Sequence, residues 1–129
     1  MVIDISFLCV LIAAFLPYIF VGYAKFFTKG YDNSNPRGFL EKLEGRAKRA
    51  NAAHLNSFEA FPAFAAAVII AHLAAVSPST ITLLSVLFIL FRIIYGLCYI
   101  FDKSSLRSLV WFGGFLCVIA LFICSIFKS

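Results

Sequence analysis

The stretch AAHLNSFEAFPAFAAAVIIAHLAA, residues 52–75, decides the fold of this chain. Its second half is an almost unbroken apolar run, and about 20 apolar residues are enough to cross a bilayer as an α-helix. Its first half places His54, Asn56 and Glu59 where that helix begins. Ionisable residues inside a membrane helix are costly and usually functional. The stretch therefore predicts a membrane-spanning helix with functional polar residues near its start.

The composition of the whole chain is that of a membrane protein. Of its 129 residues, 63% are hydrophobic and 13% are charged, whereas soluble domains are nearer half apolar and a quarter charged. A soluble domain of this length could not bury so much apolar surface. The sequence predicts one all-α integral membrane domain over residues 1–129. It would be a four-helix bundle with helices near 5–27, 39–76, 81–101 and 106–127.

The connections between these helices carry their own signals. The segment TKGYDNSNPRG, residues 28–38, is rich in turn formers and predicts a loop. From Phe39 onward we expect a helix that passes Gly45 and continues into the second span. Pro17 predicts a kink rather than a break in the first span. In the turn SPST, Ser77 or Ser79 is expected to cap the third span.

The charges predict which way the chain crosses the membrane. The net charge is +5, and clustered lysines and arginines mark cytoplasmic loops rather than a nucleic-acid surface in such a protein. The termini carry only Asp4 and Lys128. Both termini are therefore expected on the non-cytoplasmic side. The cytoplasmic loops would be those that contain or adjoin Lys25, Lys29, Arg37, Lys42, Arg46, Lys48 and Arg49, and Lys103 and Arg107.

Three polar stripes are expected to meet at the cytoplasmic end of the bundle. Because successive residues of an α-helix are about 100° apart, the residues of each stripe lie on one face of their helix. Buried charges in a bilayer pair with one another, so a direct Glu59–Arg92 ion pair is expected. His54 would point away from these stripes. The stripes are Arg49, Ala52, Asn56 and Glu59 on the second span, Arg92, Tyr95 and Tyr99 on the third, and Arg107, Ser108 and Trp111 on the fourth.

A pocket of this composition suits an anion with several carboxylates and an ammonium group. Arginine binds carboxylates bidentately, and Glu59 would take the ammonium group. The tripeptide glutathione fits this description. No metal site is predicted, because His54 and His72 lack neighbouring ligands and the four cysteines stand singly in apolar runs.

At these residues the sequence resembles a known family. The pattern RAxxAHLNSFEAFP, residues 49–62, is similar to the second-helix signature of the membrane-associated proteins in eicosanoid and glutathione metabolism. RIIYGLCY, residues 92–99, and LRSLVW, residues 106–111, resemble the patterns of its third and fourth helices. The sequence departs from the family where Ala52 replaces an arginine and Trp111 replaces a tyrosine.

The resemblance implies a homotrimer that binds glutathione, as a co-substrate, between subunits on the cytoplasmic side. Arg107 and Ser108 match the catalytic arginine and serine near the glutathione sulfur, where a cation and a hydroxyl group favour the thiolate. The thiolate would attack a lipophilic electrophile from the bilayer. The glutathione-binding residues implied by the family and by the stripes are Arg49, His54, Asn56, Glu59, Arg92, Tyr95 and Tyr99.

A four-span chain of this kind could have two other functions. A non-enzymatic lipid-binding scaffold of the same fold would need no thiol activation, and the presence of Arg107 and Ser108 argues against it. A small four-span multidrug exporter would carry its glutamate in the first helix, whereas Glu59 lies in the second. The sequence favours a thiol-dependent transferase or peroxidase.

Overall fold

The computed structural model describes residues 1–127 and shows an all-helical chain with four long apolar helices. Lys128 lies outside the described residues. The four-span prediction is confirmed, with helix ends shifted by a few residues. The helices are α1 (Ile5–Phe26), α2 (Pro36–Glu41), α3 (Gly45–Leu73), α4 (Pro78–Ile100) and α5 (Ser104–Ile126). All except the short α2 are long and apolar enough to cross a membrane.

The helix ends follow local capping chemistry. The Asp4 carboxylate accepts hydrogen bonds from the backbone N–H groups of Ser6 and Phe7 at the start of α1. Ser77 caps α4 through the backbone N–H of Thr80, at 3.4 Å, and Pro78 occupies the first turn, where its missing N–H costs nothing. Of the two serines proposed as caps, Ser77 is therefore the cap. Helix α1 continues through the buried Pro17 without interruption.

The region between the first two spans differs from the prediction in two ways. Helix α2 starts inside the predicted loop, because Asn35 accepts a hydrogen bond from the backbone of Gly38 and Pro36 follows in the first turn. The predicted continuous helix from Phe39 is wrong. It breaks before Gly45, which has a φ of +59°, a conformation that suits glycine. The break turns Leu43 inward, to 6% exposure, between α1, α3 and the end of α4.

Small residues allow the helices to approach closely. Four alanines of α3 are completely buried: Ala50, Ala53, Ala67 and Ala71. At Gly96 of α4, an added Cβ would lie 2.0 Å from the ring of Phe20 on α1. In the centre, the rings of Phe64 and Phe88 stack 3.9 Å apart. Because lipid is as apolar as these side chains, close van der Waals packing is what stabilises the bundle.

The outer surface of the bundle is apolar along all four spans, which together expose more than twenty-five large hydrophobic side chains. Contact of this apolar surface with water would cost free energy, whereas contact with the lipid chains of a bilayer would not. The chain is therefore a multi-pass integral membrane protein.

Candidate functional site

An amide bridges the two intramembrane charges of the site. The Nη2 atom of Arg92 donates to Asn56 Oδ1 at 2.8 Å, and Asn56 Nδ2 donates to Glu59 Oε2 at 3.2 Å. Within residues 1–127, no carboxylate oxygen lies within 4.0 Å of the Arg92 guanidinium. The predicted direct Glu59–Arg92 ion pair is therefore wrong. Asn56, one turn before Glu59, forms one hydrogen bond with each of them instead.

The two ends of this bridge differ in burial. Arg92 is only 3% exposed, whereas Glu59 is exposed on the surface of the single chain and does not face the bundle interior as expected. Among the described residues, the Nε atom of Arg92 has no hydrogen-bond partner. A buried guanidinium with unused donors can bind an additional acceptor group.

Toward the end of the bundle that carries the basic loops, arginines and tyrosines alternate. The Arg92 guanidinium lies 4.3 Å from the centre of the Tyr95 ring, and the Arg107 guanidinium lies 4.3 Å from the centre of the Tyr99 ring. The two tyrosine rings meet edge to face, 5.7 Å apart. Cation–π contacts of this kind orient each guanidinium. The predicted stripes of α4 and α5 therefore do meet.

Two adjoining cavities lie beside these residues. The outer one, of about 160 Å³, is lined by Asn56, Tyr95, Arg107, Ser108 and Trp111. The inner one, of about 250 Å³, extends from the polar bridge deeper into the membrane region, and both share Asn56 and Trp111. The inner cavity is lined by Asn56, Glu59, Ala60, Ala63, Phe88, Arg92, Trp111, Phe115 and Val118.

Two of the residues predicted from sequence lie elsewhere. Arg49 donates from Nε to the backbone carbonyl of Ile100 at 3.1 Å, so it closes the C-terminal end of α4. His54 lies on the far face of α3, as the helical spacing predicts, where it contacts Asn51 and the ring of Phe58. A glutathione contact for either residue stays a prediction. The Ser108 hydroxyl donates to the carbonyl of Ser104 and remains exposed beside Arg107 in the outer cavity.

The apolar half of the inner cavity was missed from sequence. Ala60 and Ala63 follow Asn56 at four and seven residues, and Phe88 precedes Arg92 by four. This spacing places them on the same faces as the polar residues. This spacing can be read from the sequence, but apolar residues recur at the same spacing wherever two helices pack together, so it does not by itself indicate a cavity.

A polar cluster at the opposite end of the bundle, around His72, was also missed from the sequence. The Nε2 atom of His72 lies 2.8 Å from the Ser6 hydroxyl and 3.7 Å from an Asp4 carboxylate oxygen. Its ring packs on Phe7, 4.6 Å between centres. The cluster ties the end of α3 to the start of α1.

The architecture agrees with one comparison to known proteins. The family model described as the MAPEG family matches residues 5–127. The chain belongs to the MAPEG family. No curated protein and no solved structure matches the chain significantly. The match covers all four spans of this MAPEG protein, including every residue that lines the two cavities, and places it among membrane proteins of the glutathione and eicosanoid metabolism type.

Proposed function

We propose that this MAPEG protein is a glutathione-dependent transferase or peroxidase that activates a thiolate for attack on lipophilic electrophiles. The observation that supports this most strongly is the junction of the two cavities. The outer cavity presents the Arg107 guanidinium and the Ser108 hydroxyl, and the inner cavity beside it is mostly apolar. A polar thiol and an apolar substrate would therefore meet at their shared edge.

Arg107 and Ser108 would act on the sulfur. A free thiol has a pKa of about 8.5, so only a few per cent is thiolate at neutral pH. A guanidinium at the sulfur favours the charged form and lowers its pKa, and the Ser108 hydroxyl can donate to the sulfur when it turns away from the Ser104 carbonyl. The contact of Arg107 with the Tyr99 ring leaves its N–H groups free for this purpose.

Asn56 and Glu59 would bind the peptide part of glutathione at the mouth of the inner cavity. Glu59 is exposed there and carries the negative charge that an ammonium group requires. Arg92 holds Asn56 in place from below through the hydrogen bond at 2.8 Å. Arg107 supplies a cation for a carboxylate or for the sulfur, which agrees with a ligand of mixed charge.

The exposure of Glu59 also favours a homotrimer with sites between subunits. A carboxylate exposed to lipid inside a span costs several kcal/mol, of the order of 2.5–3.5 on insertion scales. A second copy packed against α3 would cover Glu59 and Trp111, both exposed in the single chain. We further propose that the site faces the cytoplasm, because the basic loops lie at its end of the bundle.

The test is a titration of glutathione into the purified full-length protein, with the ultraviolet absorbance of the thiolate as the readout. We expect a saturable thiolate signal that is lost in Arg107→Ala and retained in Lys103→Ala. Lys103 is the matched control because it is an exposed cation of the same turn that lines neither cavity. The oligomer is measured in parallel by light scattering with correction for bound detergent.

An absent thiolate signal in the unmodified protein would refute thiol activation. If apolar ligands still bound, the lipid-binding scaffold of the same fold would replace the transferase as the function. The apolar lining of the inner cavity is the observation that favours this second function.

A further inference from the structure

The C-terminal end of α4 is completed by a side chain of another helix. The last four carbonyl groups of an α-helix have no partner within the helix. Three of them, those of residues 97–99, accept hydrogen bonds at 2.8 to 3.2 Å from the backbone N–H groups of residues 101–103, the turn that joins α4 to α5. The fourth, the carbonyl of Ile100, accepts from the Nε atom of Arg49 on α3 at 3.1 Å.

The surroundings of the Ile100 carbonyl make this hydrogen bond important. Ile100 is 5% exposed and packs in one apolar cluster with Leu43, Ala50 and Ala53. A carbonyl group without a partner in such a place costs free energy. The Arg49 guanidinium also brings a positive charge to the negative end of the α4 dipole. A charged donor forms a stronger hydrogen bond than a neutral one.

A second arginine of α3 contacts the same turn. The Arg46 guanidinium lies 5.1 Å from the centre of the Phe101 ring. Because Arg46 and Arg49 are three residues apart, they project from the same face of α3. The next residue of the turn, Asp102, has a φ of +60°, a conformation that costs free energy in residues other than glycine. Contacts from α3 therefore help to hold a turn that its own sequence does not favour.

The position of Arg107 depends on this turn. Lys103, at the start of α5, makes no side-chain cap hydrogen bond with the described residues. The backbone N–H of Arg107 donates to the Lys103 carbonyl at 2.8 Å, so Arg107 belongs to the first turn of α5. Its guanidinium contacts the ring of Tyr99, 4.3 Å from the ring centre. The carbonyl that Arg49 holds thus lies in the chain between the two residues of this contact.

We propose that Arg49 is a positioning residue that controls the thiol site through the α4–α5 turn. This inference rests on the proposed function and concerns the control of that same site. Arg49 fixes the Ile100 carbonyl, the turn then fixes the start of α5, and Arg107 is held at the sulfur. Among the described residues, Arg49 lines neither the outer nor the inner cavity. Arg46 supports the turn through the weaker contact with Phe101.

A small displacement of Arg107 is enough to change thiol activation. At an effective dielectric constant of about 20, moving a cation from about 4 Å to about 6 Å from a thiolate removes about a third of their attraction. This loss lowers the thiolate fraction about tenfold. The proposed contacts to the peptide part of glutathione, Asn56 and Glu59, lie on α3 and not on the turn. A displaced turn should therefore change thiol ionisation more than glutathione affinity.

The first readout is hydrogen exchange of the full-length protein in detergent without glutathione. Arg49→Met keeps the apolar stem of the side chain but removes the donor and the charge. We expect the amides of residues 101–103 to exchange about tenfold faster in this variant. Arg49→Lys should exchange nearly as slowly as the unmodified protein, because an ammonium group also donates to carbonyls at a helix end. Lys48→Met is the matched control, an exposed cation on the same turn of α3, and should change nothing.

The second readout is glutathione titration with thiolate absorbance across pH. Arg49→Met should raise the apparent pKa of the bound thiol by about 1 and change Kd by less than about threefold, while Arg49→Lys retains both values. Unchanged exchange of the turn in Arg49→Met would overturn the positioning role. Weaker glutathione binding with unchanged exchange would also overturn it and make Arg49 a ligand contact.

Failure of the proposed function has a different signature. If exchange of the turn becomes faster in Arg49→Met but the unmodified protein forms no thiolate, the hold of Arg49 on the turn is confirmed. The proposed function is then refuted, and control of a thiol site by Arg49 is refuted with it. If the unmodified protein forms the thiolate and Arg49→Met leaves its apparent pKa unchanged, only the positioning role is overturned.

Discussion

We predict that Asn56 stabilises this site through its hydrogen bond to the buried Arg92 guanidinium, and a double-mutant cycle measures by how much. In Asn56→Ala the Arg92 guanidinium, 3% exposed, loses its hydrogen bond of 2.8 Å. Hydrogen bonds to charged groups contribute about 1.5–3 kcal/mol net, whereas polar pairs between membrane helices average about 0.6 kcal/mol. The larger figure applies here, because Asn56 is the one hydrogen-bond partner of Arg92 within residues 1–127.

We therefore expect Asn56→Ala to lower the free energy of unfolding by about 2 kcal/mol when Arg92 is present, and by much less in an Arg92→Met background. Glu59→Gln should cost under about 1 kcal/mol, because Glu59 is exposed and an amide still accepts the Asn56 hydrogen bond. The assay is unfolding by sodium dodecyl sulfate in mixed micelles, followed by helical circular dichroism at one protein concentration, because oligomers dissociate on dilution.

The coupling between Asn56 and Arg92 is the decisive quantity of the cycle. A coupling energy below about 0.5 kcal/mol, which is the limit of simple additivity, would refute the bridge. If Asn56→Ala lowered the free energy of unfolding equally in the unmodified protein and in the Arg92→Met background, Asn56 would act through packing alone. Ser57→Ala is a suitable control. The Ser57 hydroxyl bonds within its own helix, to the Ala53 carbonyl, and does not touch Arg92 in any described hydrogen bond.

Three further outcomes are expected. Gly96→Ala should destabilise the bundle by about 1–3 kcal/mol, because its Cβ would meet a phenyl ring of α1; an unchanged unfolding midpoint would contradict this. The hydrogen bond from the Ser6 side chain holds the pKa of Asp4 below its ordinary value, so its stabilisation is present above the unfolded-state pKa and is lost as the pH falls through the folded one. Melting temperatures should fall less with acid in Asp4→Asn than in the unmodified protein. For topology, an impermeant maleimide should label Ser34→Cys from the cytoplasmic side and Ser79→Cys from the other, and labelling of both from one side would rule out the predicted orientation.

The four spans were predictable because hydrophobic length alone specifies them. The break before Gly45 was not, because helix formers surround it and the buried position of Leu43 depends on α1 and α4. Similarly, Asn35 and Pro36 are turn formers and helix starters at once, so their segment was assigned to a loop. Ends of helices are decided by capping and by tertiary contacts, which hydropathy does not contain.

The sequence predicted which residues lie at the site better than it predicted which of them contact each other. Helical spacing brought Asn56, Arg92 and Arg107 to one end of the bundle, because stripe positions follow from 3.6 residues per turn. It could not show that an amide lies between the two charges, since that depends on side-chain reach. It also could not show that Arg49 donates to the Ile100 carbonyl, because a stripe includes every polar residue on a face and does not distinguish their partners.

The contact between Arg49 and the Ile100 carbonyl affects how mutational data from this protein should be interpreted. The turn after Ile100 joins the helix that carries Tyr99 to the helix that carries Arg107. A residue about fifty positions earlier in the chain thus holds the backbone directly before this turn, and we expect it to influence how those two side chains approach each other. Loss of Arg49 would displace Arg107 from a distance and mimic, in a rate measurement, the loss of a ligand contact. Activity alone therefore cannot assign Arg49 to ligand binding; a structure of the variant or a direct affinity measurement is required.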